Sequence, residues 1–124
     1  MLFLDTHLVV WLYAGEIKRI SRTAAELIEK NELCISPIVE LEVQYLFEIG
    51  RITEKPTKII LALRKEIGLR ISNSSFGKVA EASCKEDWTR DPFDRLIVAD
   101  ARVNKARLLS KDERIRKNYE KAVW

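Results

Sequence analysis

Four short apolar runs recur along this chain, Leu2–Asp5, Leu33–Ser36, Leu69–Ser72 and Arg107–Ser110, each separated from the next by helix-length segments. That alternation constrains the fold more than any other feature. Consecutive parallel strands need a long crossover, a helix is the usual one, and helices returning in this way cover both faces of the sheet. Glycine and proline supply the boundaries. A first helix runs from about His7 to Ala14 and stops at Gly15, and Ser21 caps a second that reaches about Asn31. Ser36-Pro37 starts a third that ends before Gly50, and Pro56–Ile67 is closed by Gly68. Residues 75–86 read as helical, Asp91-Pro92 opens a helix to about Lys105, and a short helix follows the fourth strand. Ala122–Trp124 is predicted to add a fifth strand at the edge. The expectation is an α/β fold with a central parallel sheet of four to five strands and right-handed crossovers.

Length and composition narrow the function. The 124 residues suit one domain spanning 1–124, and 47% apolar residues suffice to fill one core. No repeat, linker or low-complexity tract divides the chain. No run approaches the roughly 20 apolar residues of a membrane span. Leu8–Gly15 follows Asp5 and His7 without a basic start, unlike a secretory leader, so a cytoplasmic location without membrane contact is expected. Cys34 and Cys84 lie far apart in apolar surroundings and read as buried small hydrophobes. A single histidine leaves too few ligands for a zinc site of His/Cys type. Any metal would need oxygen ligands, which favours a hard ion. The net charge of +3 is unevenly spread: residues 1–48 hold four basic and eight acidic residues, residues 88–121 ten basic and six acidic. A basic last third beside an acidic first third suits a polyanion guided toward carboxylates, and equally suits solvated helix faces.

In a sheet of this kind ligands bind beyond the carboxyl ends of the strands, where the winding reverses. Asp5 ends the first strand and Asp112 follows the fourth by two residues, so both emerge at that rim. Asp94 is the third residue of the helix opened by Pro92, and a helix leading into a parallel strand begins at the same rim. Glu42 follows from helical phase. At about 100° per residue, Glu40, Gln44 and Glu48 share one face of helix 37–49, while Glu42 falls opposite among Ile38, Val39, Leu46 and Ile49. A carboxylate on an apolar face is costly unless something pairs with it.

Four carboxylates at one rim repel, and some stay protonated unless a cation joins them. A hard divalent ion such as Mg²⁺ resolves this. Each acid also suits a plainer role. Asp91 before Pro92 and Asp112 within Ser110-Lys-Asp-Glu113 fit helix caps, and Asp94 in a first turn is favoured by the helix dipole. Asp5 suits a simple strand end, and Glu42 a pairing with lysine or arginine. Asp100 lies on an apolar stripe with Phe93, Leu96, Ile97 and Val103, roughly 9 Å below Asp94, deeper than a metal at the rim.

The segments that carry these residues form a pattern. Leu4-Asp-Thr-His7, Ser36-Pro37 followed by Glu42 and Glu48-Ile-Gly-Arg51, Arg90-Asp-Pro-Phe-Asp-Arg95 continuing as Leu-Ile-Val-Ala99, and Leu108-Leu-Ser-Lys-Asp112 together resemble a PIN-domain nuclease. Their combination is that of VapC-type toxins of bacterial toxin–antitoxin pairs. The resemblance reaches from Leu4 to Val123-Trp124. It implies a three-layer α/β/α fold, Mg²⁺- or Mn²⁺-dependent endoribonuclease activity, and a cognate antitoxin. The family's acidic quartet carries over onto Asp5, Glu42, Asp94 and Asp112, the residues that topology selects. Asp91 matches an extra acid of the subgroup with Arg-Asp-Pro-Phe-Asp-Arg. Ser110 stands where many members have threonine and keeps the hydroxyl; Glu40 stands where an apolar residue is common.

These readings predict hydrolysis of RNA phosphodiesters by metal-activated water, with Asp5, Glu42 and Asp94 as principal ligands and Asp112 binding directly or through water. Thr6 and Ser110 are expected to orient the carboxylates. Arg90, Arg95, Lys111 and Arg114 are candidates to hold phosphates, and His7 to touch substrate or a ligand. The segment Leu8-Val-Val-Trp-Leu-Tyr13 is apolar nearly all round, and Tyr45, Leu46 and Phe47 circle their own helix. Such excess predicts a homodimer interface or an antitoxin groove. The competing expectations are a non-catalytic PIN-like binding module, whose acids are caps and ion pairs, and a phosphotransferase with Asp5 as nucleophile. The latter would place a second aspartate where His7 stands.

Overall fold

A computed structural model describes all 124 residues. Strand β1 (Leu2–Leu4) pairs with β2 (Leu33–Ile35) on one side and with β4 (Arg107–Leu109) on the other. Strand β3 (Arg70–Ile71) extends the sheet beyond β2, and β5 (Ala122–Val123) beyond β4. All pairings are parallel and the order is β3-β2-β1-β4-β5. The chain winds outward from β1 through β2 to β3, then returns to lay β4 against the free side of β1. The winding therefore reverses between β1 and β4, and a crevice opens beyond their carboxyl ends.

Leu2, Phe3 and Leu4 are all fully buried, although successive strand residues face opposite ways. Helices must therefore cover both faces. They are α1 (Thr6–Ala14), α2 (Arg22–Lys30), α3 (Ile38–Glu48), α4 (Pro56–Ile67), α5 (Phe76–Ser83), α6 (Pro92–Val103) and α7 (Glu113–Asn118). Helix α1 packs on α3 and α4, α3 also meets α6, and α5 lies along α6. The core joins the strands to Val39, Val43, Ile59, Leu63, Ile97 and Val98. Ser21 caps α2, its Oγ accepting from the Ala24 N–H at 3.0 Å. Gly15 and Gly68 end α1 and α4 with φ of 70° and 68°, a left-handed geometry that strains any side chain.

The expected elements are present, with shifted ends. Helix α1 begins one residue early because the Asp5 carboxylate accepts from the Thr6 N–H at 2.8 Å. The helix expected over 75–86 stops at Ser83, and a loop leads from there to α6. Cys84 is consequently exposed rather than buried, its thiol donating to the Ala80 carbonyl at 3.4 Å, whereas Cys34 is buried in β2. The apolar ring of α1 is largely used within the chain: Leu8 and Val9 are buried, and Val10, Trp11, Leu12 and Tyr13 pack against the core. No helix is long and apolar enough to cross a membrane.

Candidate active site

The β1–β4 register decides the first contact. Leu4 lies beside Leu109, so the next residues, Asp5 and Ser110, come side by side. The Asp5 N–H donates to the Leu109 carbonyl at 3.1 Å, and Ser110 Oγ donates to Asp5 Oδ2 at 2.6 Å. Asp5 Oδ1 is taken by the Thr6 N–H. Burial of this carboxyl raises its pKa above the ordinary value despite both hydrogen bonds.

Glu42 enters from the second turn of α3, on the side that helical phase assigns. Thr6 Oγ1 donates to its Oε1, which ties the start of α1 to α3. Burial raises this carboxyl as well, opposed by the Thr6 bond and reinforced by the charge of Asp5. Asp94 stands in the first turn of α6. Burial, then the neighbouring charges of Asp91, Asp5, Asp112 and Glu42, push its pKa up to about 7.

Asp91 and Asp112 cap helices, as their sequence contexts allow. Asp91 Oδ1 accepts from the Phe93 and Asp94 N–H groups at 2.8 and 3.4 Å. Asp112 Oδ1 accepts from those of Arg114 and Ile115 at 2.8 and 3.2 Å. In each case a single oxygen does the capping and Oδ2 is left over. Asp112, rather than Ser110, is thus the cap of α7; Ser110 Oγ instead accepts from the Asp112 N–H at 3.1 Å while donating to Asp5.

Asp5, Glu42, Asp94 and Asp112 line one cleft of about 340 Å³ with Asp91, His7 and Lys111, and Leu8 and Trp11 complete its wall. No lysine or arginine forms an ion pair with any of these acids; the chain's ion pairs join Arg19 to Glu16, Arg22 to Glu26, Lys58 to Glu54, and Arg102 to Glu86 and Glu120. The acids ring the cleft without three of them closing into a ready-made cation cage.

The predicted phosphate contacts divide. Lys111 lines the cleft. Arg90 donates to the Asp87 and Thr89 carbonyls, Arg95 Nε to the Thr89 carbonyl at 2.8 Å, and Arg114 to the Trp88 carbonyl. These three arginines brace the loop that delivers Asp91, and none of them lines the cleft. Asp100 lies outside the cleft, 1% exposed, accepting from Ser72 Oγ and Asn104 Nδ2 at 3.0 Å each. Trp11 is the wall residue that sequence reasoning passed over. Its position one helical turn beyond His7 was the available signal, since residues four apart share a face.

The family model of the PIN domain matches residues 2–121. The chain belongs to the PIN-domain family. Among solved structures, this PIN domain is similar to a toxin–antitoxin complex from Klebsiella pneumoniae, with 20% identity over 100% of this chain and 97% of that one, and a TM-score of 0.70. It is also similar to VapBC2 from Rickettsia felis bound to a DNA fragment from their promoter, with 20% identity, 95% and 93% coverage, and a TM-score of 0.67. At that identity the likeness concerns the fold, the three-layer arrangement around a parallel sheet. No curated protein sequence matches the chain.

Proposed function

We propose that this PIN domain is a metal-dependent endoribonuclease and the toxin of a toxin–antitoxin pair. The observation that carries the reading is the meeting of five carboxylates from four separate segments in one cleft, none of them in an ion pair, where the winding of the sheet reverses. The acids offer oxygen donors alone, and burial, then the charges of its neighbours, push the Asp94 carboxyl up to about 7. That chemistry fits a hard divalent ion, Mg²⁺ or Mn²⁺, which takes oxygen ligands and keeps several waters in an open site. Asp5, Glu42, Asp94 and Asp112 would hold it, with Asp91 as an accessory acid. Such an ion, when bound, lowers the pKa of water and neutralises charge on phosphodiester oxygens.

The chain's own residues set up that site. Ser110 and Thr6 fix the oxygens of Asp5 and Glu42 by hydrogen bonds and so orient them. Lys111 supplies positive charge for the phosphate at the wall of the cleft, and His7 lines the same wall within reach of substrate. The similar fold of the two toxin–antitoxin assemblies supports an antitoxin partner, and we place both proteins in the cytoplasm with the RNA.

The test is Asp5→Asn, which keeps the size of a buried side chain. Folding should be retained by circular dichroism, while cleavage of RNA in Mg²⁺ or Mn²⁺ falls by at least about a hundredfold, a few kcal/mol of lost stabilisation. Chelation of the wild-type protein should stop cleavage. Undiminished cleavage by a folded Asp5→Asn protein sinks the reading. A non-catalytic binding module is separated by calorimetry, because it takes up no Mn²⁺.

A further inference from the structure

Trp11 divides two hollows. On one side is the acidic cleft; on the other a groove of about 510 Å³ lies between α1, α3 and the segment after α3, walled by Tyr13, Arg19, Leu46, Arg51 and Ile52. His7 and Trp11 belong to both walls, so the groove adjoins the carboxylate cleft across these two side chains. The half-buried Trp11 ring has the Arg19 guanidinium 5.7 Å and the Lys111 ammonium 5.8 Å from its centroid. Trp124 props it edge-on at 6.1 Å, and the His7 ring lies 6.1 Å away. Glu54 in the groove is answered by Lys58 at 3.2 Å, and Glu16 by Arg19, while Arg51 forms no ion pair.

The carboxylates repel a phosphate chain, so attraction has to come from what adjoins them. A flat aromatic flanked by cations answers the two chemical parts of a nucleotide, the base and the phosphate. A base reaches such a ring only when it is unpaired, because in a duplex both its faces are occupied by neighbouring bases. We propose that this groove receives a single-stranded stretch of RNA beside the phosphate to be cut, with one base stacked on Trp11 and the flanking phosphates held by Lys111 and Arg51. The incoming base displaces a cation from the ring and leaves it free for a phosphate. The proposal rests on the nuclease reading for the fate of the RNA, and stands apart from it for the binding.

The experiment uses the full chain carrying Asp94→Asn, in EDTA, so that nothing is cut. The probes are a labelled ten-nucleotide oligoadenylate RNA, the same strand annealed to its complement, and the matching DNA strand, each titrated by fluorescence anisotropy. Trp11→Leu should weaken the single-stranded RNA about tenfold, the scale of one lost stacked base, while Trp11→Phe stays within about threefold. The duplex should bind more weakly and respond to neither change. Arg51→Gln, on an exposed side chain, should lower the slope of log affinity against log salt by about 0.7. With Asp94 intact and Mg²⁺ present, Trp11→Leu should raise KM for unpaired RNA far more than it lowers kcat. Unchanged affinity in both Trp11→Leu and Arg51→Gln, an equal loss on the duplex, or tighter binding of the DNA strand overturns the proposal. So does loss of antitoxin binding by Trp11→Leu with RNA binding intact, which gives the groove to a protein. Binding through Trp11 by a protein that never cleaves RNA removes the nuclease reading alone.

Discussion

Asp94 concentrates the charge problem of the site in one side chain. Its carboxyl, raised from 3.8 to about 7 by burial and four neighbouring acids, holds a proton in the folded chain over a range where the unfolded chain has released it. The native state then binds more protons than the unfolded state, so metal-free stability should fall as pH rises from about 4 to about 7 and level off above. The sign is opposite to that of an aspartate stabilised by an ion pair. Thermal melts in EDTA across that range check it, and Asp94→Asn should remove its own share of the slope, roughly 1–2 kcal/mol after solvent screening. Asp5 and Glu42, shifted in the same direction by burial, leave a remainder. A slope unaltered by Asp94→Asn would assign the proton elsewhere.

At the scale of elements, the starts of α6 and α7 each serve two ends with one side chain. Asp112 caps α7 through Oδ1, keeps its other oxygen free of hydrogen bonds, and lines the cleft. The two duties separate by substitution. Asp112→Ala should lose the cap, about 1 kcal/mol and some 3–5 °C in Tm for a chain of this size. Asp112→Ser should restore most of the melting temperature, since serine caps well, yet leave RNA cleavage depressed because the second oxygen is gone. Recovery of cleavage together with stability in Asp112→Ser would make Asp112 a cap only. Arginines near this rim support the arrangement: Arg95 and Arg114 clamp the loop ahead of α6, so that Asp91 and Asp94 arrive at a defined place.

Across the whole molecule, of the two apolar helices that the sequence singled out, only α3 leaves such surface outside the core. Helix α1 turns its excess inward, whereas Leu41 and Tyr45 of α3 and Phe76 of α5 stay 56%, 49% and 75% exposed. Leu41 and Phe76 share the wall of one further hollow of about 290 Å³. A contiguous face of this kind suits a second copy of the chain, and we place the expected homodimer there. Sedimentation at micromolar concentration should report a dimer, and Leu41→Glu with Phe76→Glu should give a folded monomer. A monomeric wild-type protein sinks the assignment.

Local periodicity and punctuation were enough for the alternation of strands and helices, the ends of α2 and α4, and the phase that singles out Glu42 over Glu40. Those features depend on residues within a turn or two of each other. Capping at Asp91 and Asp112 was legible for the same reason. Thr6 and Ser110 were legible as residues that orient carboxylates, but which carboxylate each one meets was not, because that depends on strand order and register. Asp5 and Ser110, 105 positions apart, meet only because β4 returns to β1 rather than continuing beyond β3. The bracing role of Arg90, Arg95 and Arg114, the exposure of Cys84 and the place of Trp11 between two hollows follow from that packing as well, since a backbone carbonyl or a neighbouring ring brought close by folding leaves no mark in the local pattern.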